Sequence, residues 1–295
     1  MQAPTLVLLA AGLSKRFGRS KQETPVGPDG EVLHDYNIFD ALSSGFGRIT
    51  FVVRSDNERA IRDAFEDRFG YSVPSSYVRQ MRPLGTGHAV AGIRGLVEGP
   101  FAVCNTDDLY GREAFAAVAA RLKQSSPGSP IQGCVVGYRL GSTLSEHGGV
   151  SRAVVRTDGG MRVTGVDEIL DIQRDDGGQL RGRTPDGEPV SLTGEEPVSM
   201  NLWGFGPGMA EVLMRQYEKW TYDLKEDQSE EYRLSSAVDH LIADELLEVD
   251  LLPGPDEGWV GMTHAADAQR LREVLEQAVE DGRYPASLRR AFRGG

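Results

Sequence analysis

Cysteine is scarce in this chain, with two residues, Cys104 and Cys134, among 295. Two cysteines make neither a disulfide framework nor, by themselves, a zinc site. Each sits in an apolar run, so both are expected as buried, reduced thiols on strands, which suits a cytoplasmic location. Long hydrophobic runs are missing too: no stretch approaches the roughly 18 apolar residues of a membrane span. The apolar residues 6–13 are few, no positive charge precedes them, and Lys15, Arg16, Arg19 and Lys21 follow at once. That is the wrong charge order for a secretion signal. Positive charge is in deficit as well, with 32 Lys and Arg against 44 Asp and Glu and a net charge of −12. Duplex-binding proteins neutralise phosphates with cations, so neither nucleic acid nor membrane is expected as a partner. The acidic excess reads as solubility. No internal repeat is present, and in particular no hexapeptide β-helix pattern.

What remains is an ordinary globular composition, 39% hydrophobic and 26% charged, with 36 glycines that imply many tight turns. Strand-like and helix-like runs alternate through the first half. Strands are expected at 5–9, 48–53, 76–80, 101–105 and 131–138, and helices at 36–42, 58–68, 89–96 and 113–123. The alternation predicts an α/β fold, a Rossmann-like, mostly parallel sheet wrapped by helices. From 149 to 201 the pattern changes to short strands and polar turns, with 171–197 expected as an exposed hairpin or long loop. Helices are expected at 209–219 and 235–244, with a solvated acidic stretch at 225–231 between them. An amphipathic helix is expected at 265–279.

Three places concentrate chemistry. In Leu9-Ala10-Ala11-Gly12, followed by Arg16 and Lys21-Gln22, a buried strand ends in small residues and runs into a basic loop. Such a loop lets backbone N–H groups approach a polyphosphate. It is neither a G-x-G-x-x-G fingerprint nor a Walker motif, and an ordinary glycine turn beside surface bases explains the local pattern equally well. The second place runs from Gln80 through Leu84-Gly85-Thr86-Gly87-His88-Ala89. Its glycines permit close backbone approach, and its primary amide carries both a donor and an acceptor for the edge of a base. His88 is read as a structural hydrogen-bonder. In the third place, Asp107-Asp108 follow the 101–105 strand at the end that borders the ligand crevice of an open α/β sheet. Carboxylates there suit Mg²⁺ shared with substrate phosphates, although either Asp would also serve as a helix cap.

Taken in order, these motifs resemble the sugar-1-phosphate nucleotidyltransferases, the nucleoside-diphosphate-sugar pyrophosphorylases. Gly148-Gly149-Val150, Val163-Thr-Gly-Val-Asp-Glu168 and Ser199-Met-Asn201 extend the resemblance over roughly residues 5 to 265. The resemblance implies a GT-A-like nucleotidyltransferase fold over 1–263, with a β-rich sugar-binding part near 149–201 and a helical tail, 264–295, packed on it. It also implies that an NTP, UTP or dTTP by preference, and a sugar 1-phosphate give an NDP-sugar and pyrophosphate with Mg²⁺. Leu9, Ala10, Ala11, Gly12, Gln80, Gly85 and Thr86 would contact the nucleotide, and Arg16 and Lys21 its phosphates. Asp107 would hold the metal, while Gly149, Glu168 and Asn201 would contact the sugar. Two departures stand out. The lysine that many relatives place just after the Glu168 position is replaced by Ile169 and Leu170. The second metal ligand falls near Thr263, His264 or Asp267, where no carboxylate stands at the matching position. A homo-oligomer is compatible with the family. A nucleotide-sugar-dependent glycosyltransferase and a nucleotide-sugar-binding regulatory protein remain the alternatives, separable by pyrophosphate release.

Overall fold

The computed structural model describes residues 2–12, 24–145, 148–175, 177–223, 231–255, 258–262 and 267–293. Strand β1 (Thr5–Leu9) is followed by helix α1 (Leu33–Ser43), β2 (Arg48–Val53), α2 (Glu58–Phe69), β3 (Ser75–Arg79), α3 (Thr86–Ala91) and β4 (Phe101–Asn105). The four strands pair in parallel in the order β4-β1-β2-β3. All but the edge strand β3 are continuous apolar runs because helices cover both faces. The expected helix at 89–96 starts earlier and stops at Ala91. Gly92 and Gly95, the latter at φ +76°, break it into successive turns.

The short β5 (Asp108–Leu109), α4 (Arg112–Leu122) and β6 (Ile131–Arg139) lead into the antiparallel half: β7 (Val150–Thr157), β8 (Val163–Arg174), β9 (Leu180–Arg183), β10 (Pro189–Leu192) and β11 (Pro197–Phe205). The polar stretch 171–197 is indeed a hairpin, β9 with β10, although β8 continues to Arg174 before it. Helices α5 (Met209–Asp223) and α6 (Leu234–Ala243) follow, and most of the acidic stretch expected between them lies outside the described residues. Then comes β12 (Leu247–Pro253), which the sequence reading did not single out. It pairs in parallel with β6 along its whole length.

One strand joins the two halves. Along one edge of β11 runs β6; along the other, Val198 and Ser199 pair with β7, whereas Trp203 to Phe205 pair with β4. Between those stretches β11 takes four residue steps, Ser199 to Trp203, where β6 takes two, Gly137 to Val135. Asn201 absorbs the excess at φ +65°, a left-handed conformation that Asn tolerates better than most side chains. The sheet therefore forks at Asn201, and the carboxyl end of β4 opens into the fork.

After the short β13 (Val260–Gly261), which pairs with β5, come α7 (Asp267–Glu280) and α8 (Leu288–Arg293). Ala268, Leu271, Leu275 and Ala278 form the buried stripe of α7 and pack with Leu33 and Tyr36 of α1. Polar bonds fix this docking: Leu288 N donates to Glu31 Oε1 at 3.0 Å, and Tyr284 OH donates to Asp40 Oδ2 at 2.6 Å. Asp40 is fully buried, and burial pushes its carboxyl up to about 6 against the opposing pull of Tyr284 and Arg112. A carboxyl raised on folding contributes stability below its unfolded value near 4 that is lost as pH rises through the folded value. We therefore expect a component of the melting temperature to fall between about pH 4 and pH 6. Asp40→Asn, which keeps the shape and removes the titration, should flatten that segment in a thermal unfolding series across pH. An unchanged slope would show that Asp40 is not its source.

Candidate active site

The carboxyl ends of β1, β2 and β4 converge where the parallel strands end. At β1, Ala10 N donates to Val52 O, and the outgoing loop is held from the β2 side. Asn57 Nδ2 donates to Ala10 O at 2.8 Å, and Arg54 Nη1 donates to Gly12 O at 2.8 Å and Ala11 O at 3.3 Å. Arg54 and Asn57 were not singled out from the sequence, where they read as ordinary polar residues opening a helix. Here they set the path of the loop that carries the small residues. Thr106, from the β4 side, donates to Leu9 O at 3.3 Å. An added Cβ at Gly12 would meet no described residue within 4 Å. Arg16, Lys21 and Gln22 lie outside the described residues.

The second motif behaves differently. Gly85 sits at φ +101°, and a Cβ there would stand 2.5 Å from Tyr232 O; one at Gly87 would stand 2.7 Å from the Tyr232 ring. Gly87 N donates to Tyr232 O, Tyr232 N donates to Leu84 O, and Thr86 Oγ1 accepts from Leu234 N at 3.0 Å. These glycines are required by the segment entering α6, and Thr86 supplies the hydrogen bond at that helix's start. Gln80 Nε2 donates to Gly85 O at 3.0 Å and contacts His88 Nδ1 at 3.0 Å. An amide nitrogen only donates, so Nδ1 accepts and the ring proton resides on Nε2. Burial, with Arg82 nearby, lowers the His88 pKa and keeps the ring neutral. His88 is thus a structural hydrogen-bonder, as expected. Both amide hydrogens of Gln80 stay within the loop, leaving Oε1 as the amide atom not used in these bonds.

The third motif lies at the fork. Asp107 is half-buried, and its carbonyl accepts from Met262 N at 2.8 Å. Asp108 points inward: its Oδ2 accepts from Asn105 Nδ2 at 2.7 Å and Tyr110 OH at 3.2 Å. Burial above all, then the charge of Asp107, pushes the Asp108 carboxyl up to about 7, against the pull of Asn105, Tyr110 and Arg152. Neither carboxylate caps α4, whose N-cap is Gly111. The Tyr110 hydroxyl also lies 2.7 Å from Met200 O and shares its one proton between that carbonyl and Asp108 Oδ2, and Asn201 Nδ2 donates to Asn105 Oδ1 at 3.4 Å. The loop carrying Asp107 and Asp108 and the left-handed residue of β11 are therefore one hydrogen-bonded unit.

On the other side of the fork, Glu168 of β8 lies opposite Ala153 of β7, which in turn lies opposite Ser199 of β11. Its carboxylate accepts from Ser235 Oγ at 3.2 Å and lies 3.5 Å from Arg233 Nη1. Gly149 stands against the backbone of Asp171, where a Cβ would come within 3.3 Å. The structure thus brings Asp107, Asn201 and the sheet row carrying Glu168 to one cleft edge. Thr263 and His264 lie outside the described residues, while Asp267 opens α7.

Chemically, Asp107 offers a hard oxygen donor at a strand end, with Asp108 behind it biased toward its neutral form. Among the described residues no three His, Cys, Asp or Glu side chains gather as a metal cage. A carboxylate oxygen of this kind suits a hard cation such as Mg²⁺.

No family model matches the chain, and no curated protein matches its sequence. Solved structures do match its fold. The inositol-1-phosphate CTP transferase from T. maritima superposes with a TM-score of 0.63 at 15% identity, covering 95% of this chain and 98% of that one. A UDP-glucose pyrophosphorylase complexed with UDP-glucose gives 0.63 at 16% identity, over 94% and 99%. A putative glucose-1-phosphate thymidylyltransferase from Bacillus anthracis, in complex with a sucrose, gives 0.62 at 12% identity, over 92% and 95%. The α/β fold read from the sequence, a mostly parallel sheet wrapped by helices, is the fold these structures share.

The two glycine motifs separate in a simple experiment. Gly85→Ala should cost about 2 kcal/mol or more, from backbone strain and the Tyr232 collision. Gly12→Ala should stay within about 0.5 kcal/mol of the parent, as for a substitution that no described residue opposes. Urea unfolding of both variants measures the contrast, and equal losses would contradict it.

Proposed function

We propose that this chain is a sugar-phosphate nucleotidyltransferase, joining an NTP and a sugar 1-phosphate into an NDP-sugar with release of pyrophosphate. The observation that carries the reading is the fork at Asn201. It sets the end of β4, with Asp107, against the row bearing Glu168, while the small-residue end of β1 lies beside β4. Three solved structures of this fold are a CTP transferase, a UDP-glucose pyrophosphorylase and a putative thymidylyltransferase, which supports the same reading. The partners are an NTP and a sugar 1-phosphate. Residues 149–201 form the sugar side, and 264–295 a tail on the same domain. No described helix is long and apolar enough to cross a membrane. The buried free thiols of Cys104 and Cys134 agree with a reducing compartment, the cytoplasm.

In this reaction an oxygen of the sugar phosphate attacks the α-phosphorus, a new P–O bond forms, and the bond from the α-phosphorus to the bridging oxygen breaks. The attacking oxygen is already anionic, so no general base is required. The work is alignment of two anions and stabilisation of developing charge. Leu9 to Gly12 present backbone to the nucleotide, and Arg54 and Asn57 hold that backbone in place. Arg16 and Lys21 are assigned to the phosphates. Gln80, with Gly85 and Thr86 shaping its loop, reads the base. Its Oε1 accepts from the ring N–H of a pyrimidine, which favours UTP or dTTP. Glu168 and Asn201 accept and donate to sugar hydroxyls, with Gly149 beside them. Mg²⁺ held by Asp107 supplies neutralisation of the α-phosphate and the leaving pyrophosphate.

The test mixes purified protein, Mg²⁺, each NTP or dTTP and a panel of sugar 1-phosphates, with pyrophosphate as readout. Release should require both substrates and be largest with UTP or dTTP. If GTP or ATP wins, the base assignment fails although the transfer chemistry stands. Asp107→Asn should lower turnover at least ~10²-fold with the fold intact. Near-normal turnover in that variant would remove the metal assignment. Gly12→Ala should weaken nucleotide binding without loss of stability.

A further inference from the structure

Arg152 is a cation in an unusual setting. It lies on β7 directly opposite Ile169, the residue just after Glu168, and that isoleucine is buried in the core. The chain thus places an apolar side chain immediately after Glu168 and a guanidinium across the ladder from it. A half-buried arginine is ordinarily matched by a carboxylate in contact. Here, among the described residues, no carboxylate comes within 4.0 Å of Arg152, and its hydrogen bonds run to neutral acceptors. Nε donates to Thr143 Oγ1 at 3.1 Å, Nη1 to Ser151 O at 2.8 Å, and Nη2 to the Thr143 carbonyl. Its Cζ lies 5.5 Å from the centroid of the Trp259 ring. These contacts fix the position of the guanidinium while leaving its charge uncompensated at close range. Three bonds also leave two of its five N–H donors.

The surroundings say what that charge would meet. Among the described residues, Asp108 and Glu168 are the carboxylates whose charge acts on Arg152. The first adjoins Asp107 and the second belongs to the sugar-side row. Trp259 ties the cation to the loop carrying Asp107 and Asp108, because a Cβ at Gly261 would touch both the indole, at 2.2 Å, and Asp108 Oδ1, at 2.8 Å. Arg152 therefore lies on the Asp108 side of the fork, on the ladder face that alternates with that of Ala153 and Glu168. In a nucleotidyl transfer the acceptor's phosphate must sit between its sugar, on one side, and the nucleotide's α-phosphate, on the other. A fixed guanidinium with spare donors is the side chain best shaped for a phosphate monoester.

We propose that Arg152 binds the phosphate of the acceptor sugar 1-phosphate, supplying from β7 the cation that β8 lacks after Glu168. The assignment rests on the nucleotidyltransferase reading for its acceptor, but its test does not depend on turnover. Calorimetric titration compares hexose 1-phosphates with the corresponding free hexoses, using the full-length protein and its Arg152→Met and Arg152→Lys variants. UTP titrations and melting temperatures are run alongside. The wild type should bind at least one hexose 1-phosphate and none of the free sugars as tightly. Arg152→Met should weaken phosphate-ester binding about 10- to 100-fold, the scale of losing charge-assisted hydrogen bonds. Arg152→Lys should restore part of it, and UTP binding should hold within about twofold.

If Arg152→Met does not fold, Thr143→Val keeps the charge but removes one anchor. It should weaken the same ligand severalfold with UTP binding unchanged. The assignment is overturned if the folded variants bind the phosphate ester as the wild type does, or if the wild type binds none. It is also overturned if ester and UTP binding fall together with the melting temperature and lysine restores neither, since that pattern marks a purely structural arginine. A wild type that binds the ester yet releases no pyrophosphate with any NTP sinks the transfer reading alone. The role of Arg152 is then decided by the binding data.

Discussion

The partner switch of β11 is the constraint on which the rest of the molecule depends. A strand has two edges, and β6 occupies one of them on both sides of the register shift. The other edge serves β7 and then β4, which cannot both continue past Met200 without colliding. Four residue steps against two open the gap, and the left-handed Asn201 makes the excess fit. Glycine would relieve the strain more cheaply but would lose the amide that reaches Asn105. An asparagine that both tolerates the backbone and spans the gap satisfies two demands at one position.

The fork needs support from beneath, because it leaves the end of β4 without a complete partner strand. A buried polar network supplies it. Tyr110 binds Asp108 and Met200, Tyr138 OH donates to Tyr110 O at 3.1 Å, and Asn37 Nδ2 of α1 donates to Asp108 O at 2.7 Å. Such networks stiffen a fold to the extent that their members are satisfied. Asn37 ties this one to α1, although its Oδ1 finds no partner among the described residues. On the same helix, Asp40 accepts from Tyr284 of the C-terminal segment. The carboxyl-terminal helices thus brace the same helix that holds the Asp107–Asp108 loop, although they lie far from it in sequence.

Much of this was legible in the sequence, and the pattern of what was not is physical. Strands β1, β2 and β4 announce themselves as continuous apolar runs because both their faces are covered. Strand β12 did not, since Glu248 and Asp250 interrupt it; they face Arg162 and Arg121 outside the core. The fork was invisible because a strand's change of partner leaves no periodic trace. The resemblance gave Asn201 a place among the site residues without giving a reason for it. Arg152 and Arg54 escaped notice because an arginine in a polar stretch looks the same whether it faces water or a carbonyl. The thiols and His88 were read correctly, since burial of the first and a neighbouring amide for the second are local matters.

The glycine motifs show that one residue type can answer two different demands. Sequence alone allows close approach of a ligand to backbone at Gly12, Gly85 and Gly87, and an ordinary turn equally at Gly12. The structure divides them. At Gly85 and Gly87 the approaching group is the chain itself, at Tyr232, and the missing side chains let the segment entering α6 close over the loop that holds Gln80. At Gly12 no part of the described chain approaches, and Arg54 fixes the carbonyl. A glycine beside backbone is explained by the fold alone, whereas no described residue accounts for Gly12. The proposed nucleotide site therefore draws its support from the turn after β1 and, at the Gly85 loop, from the single amide that the loop orients.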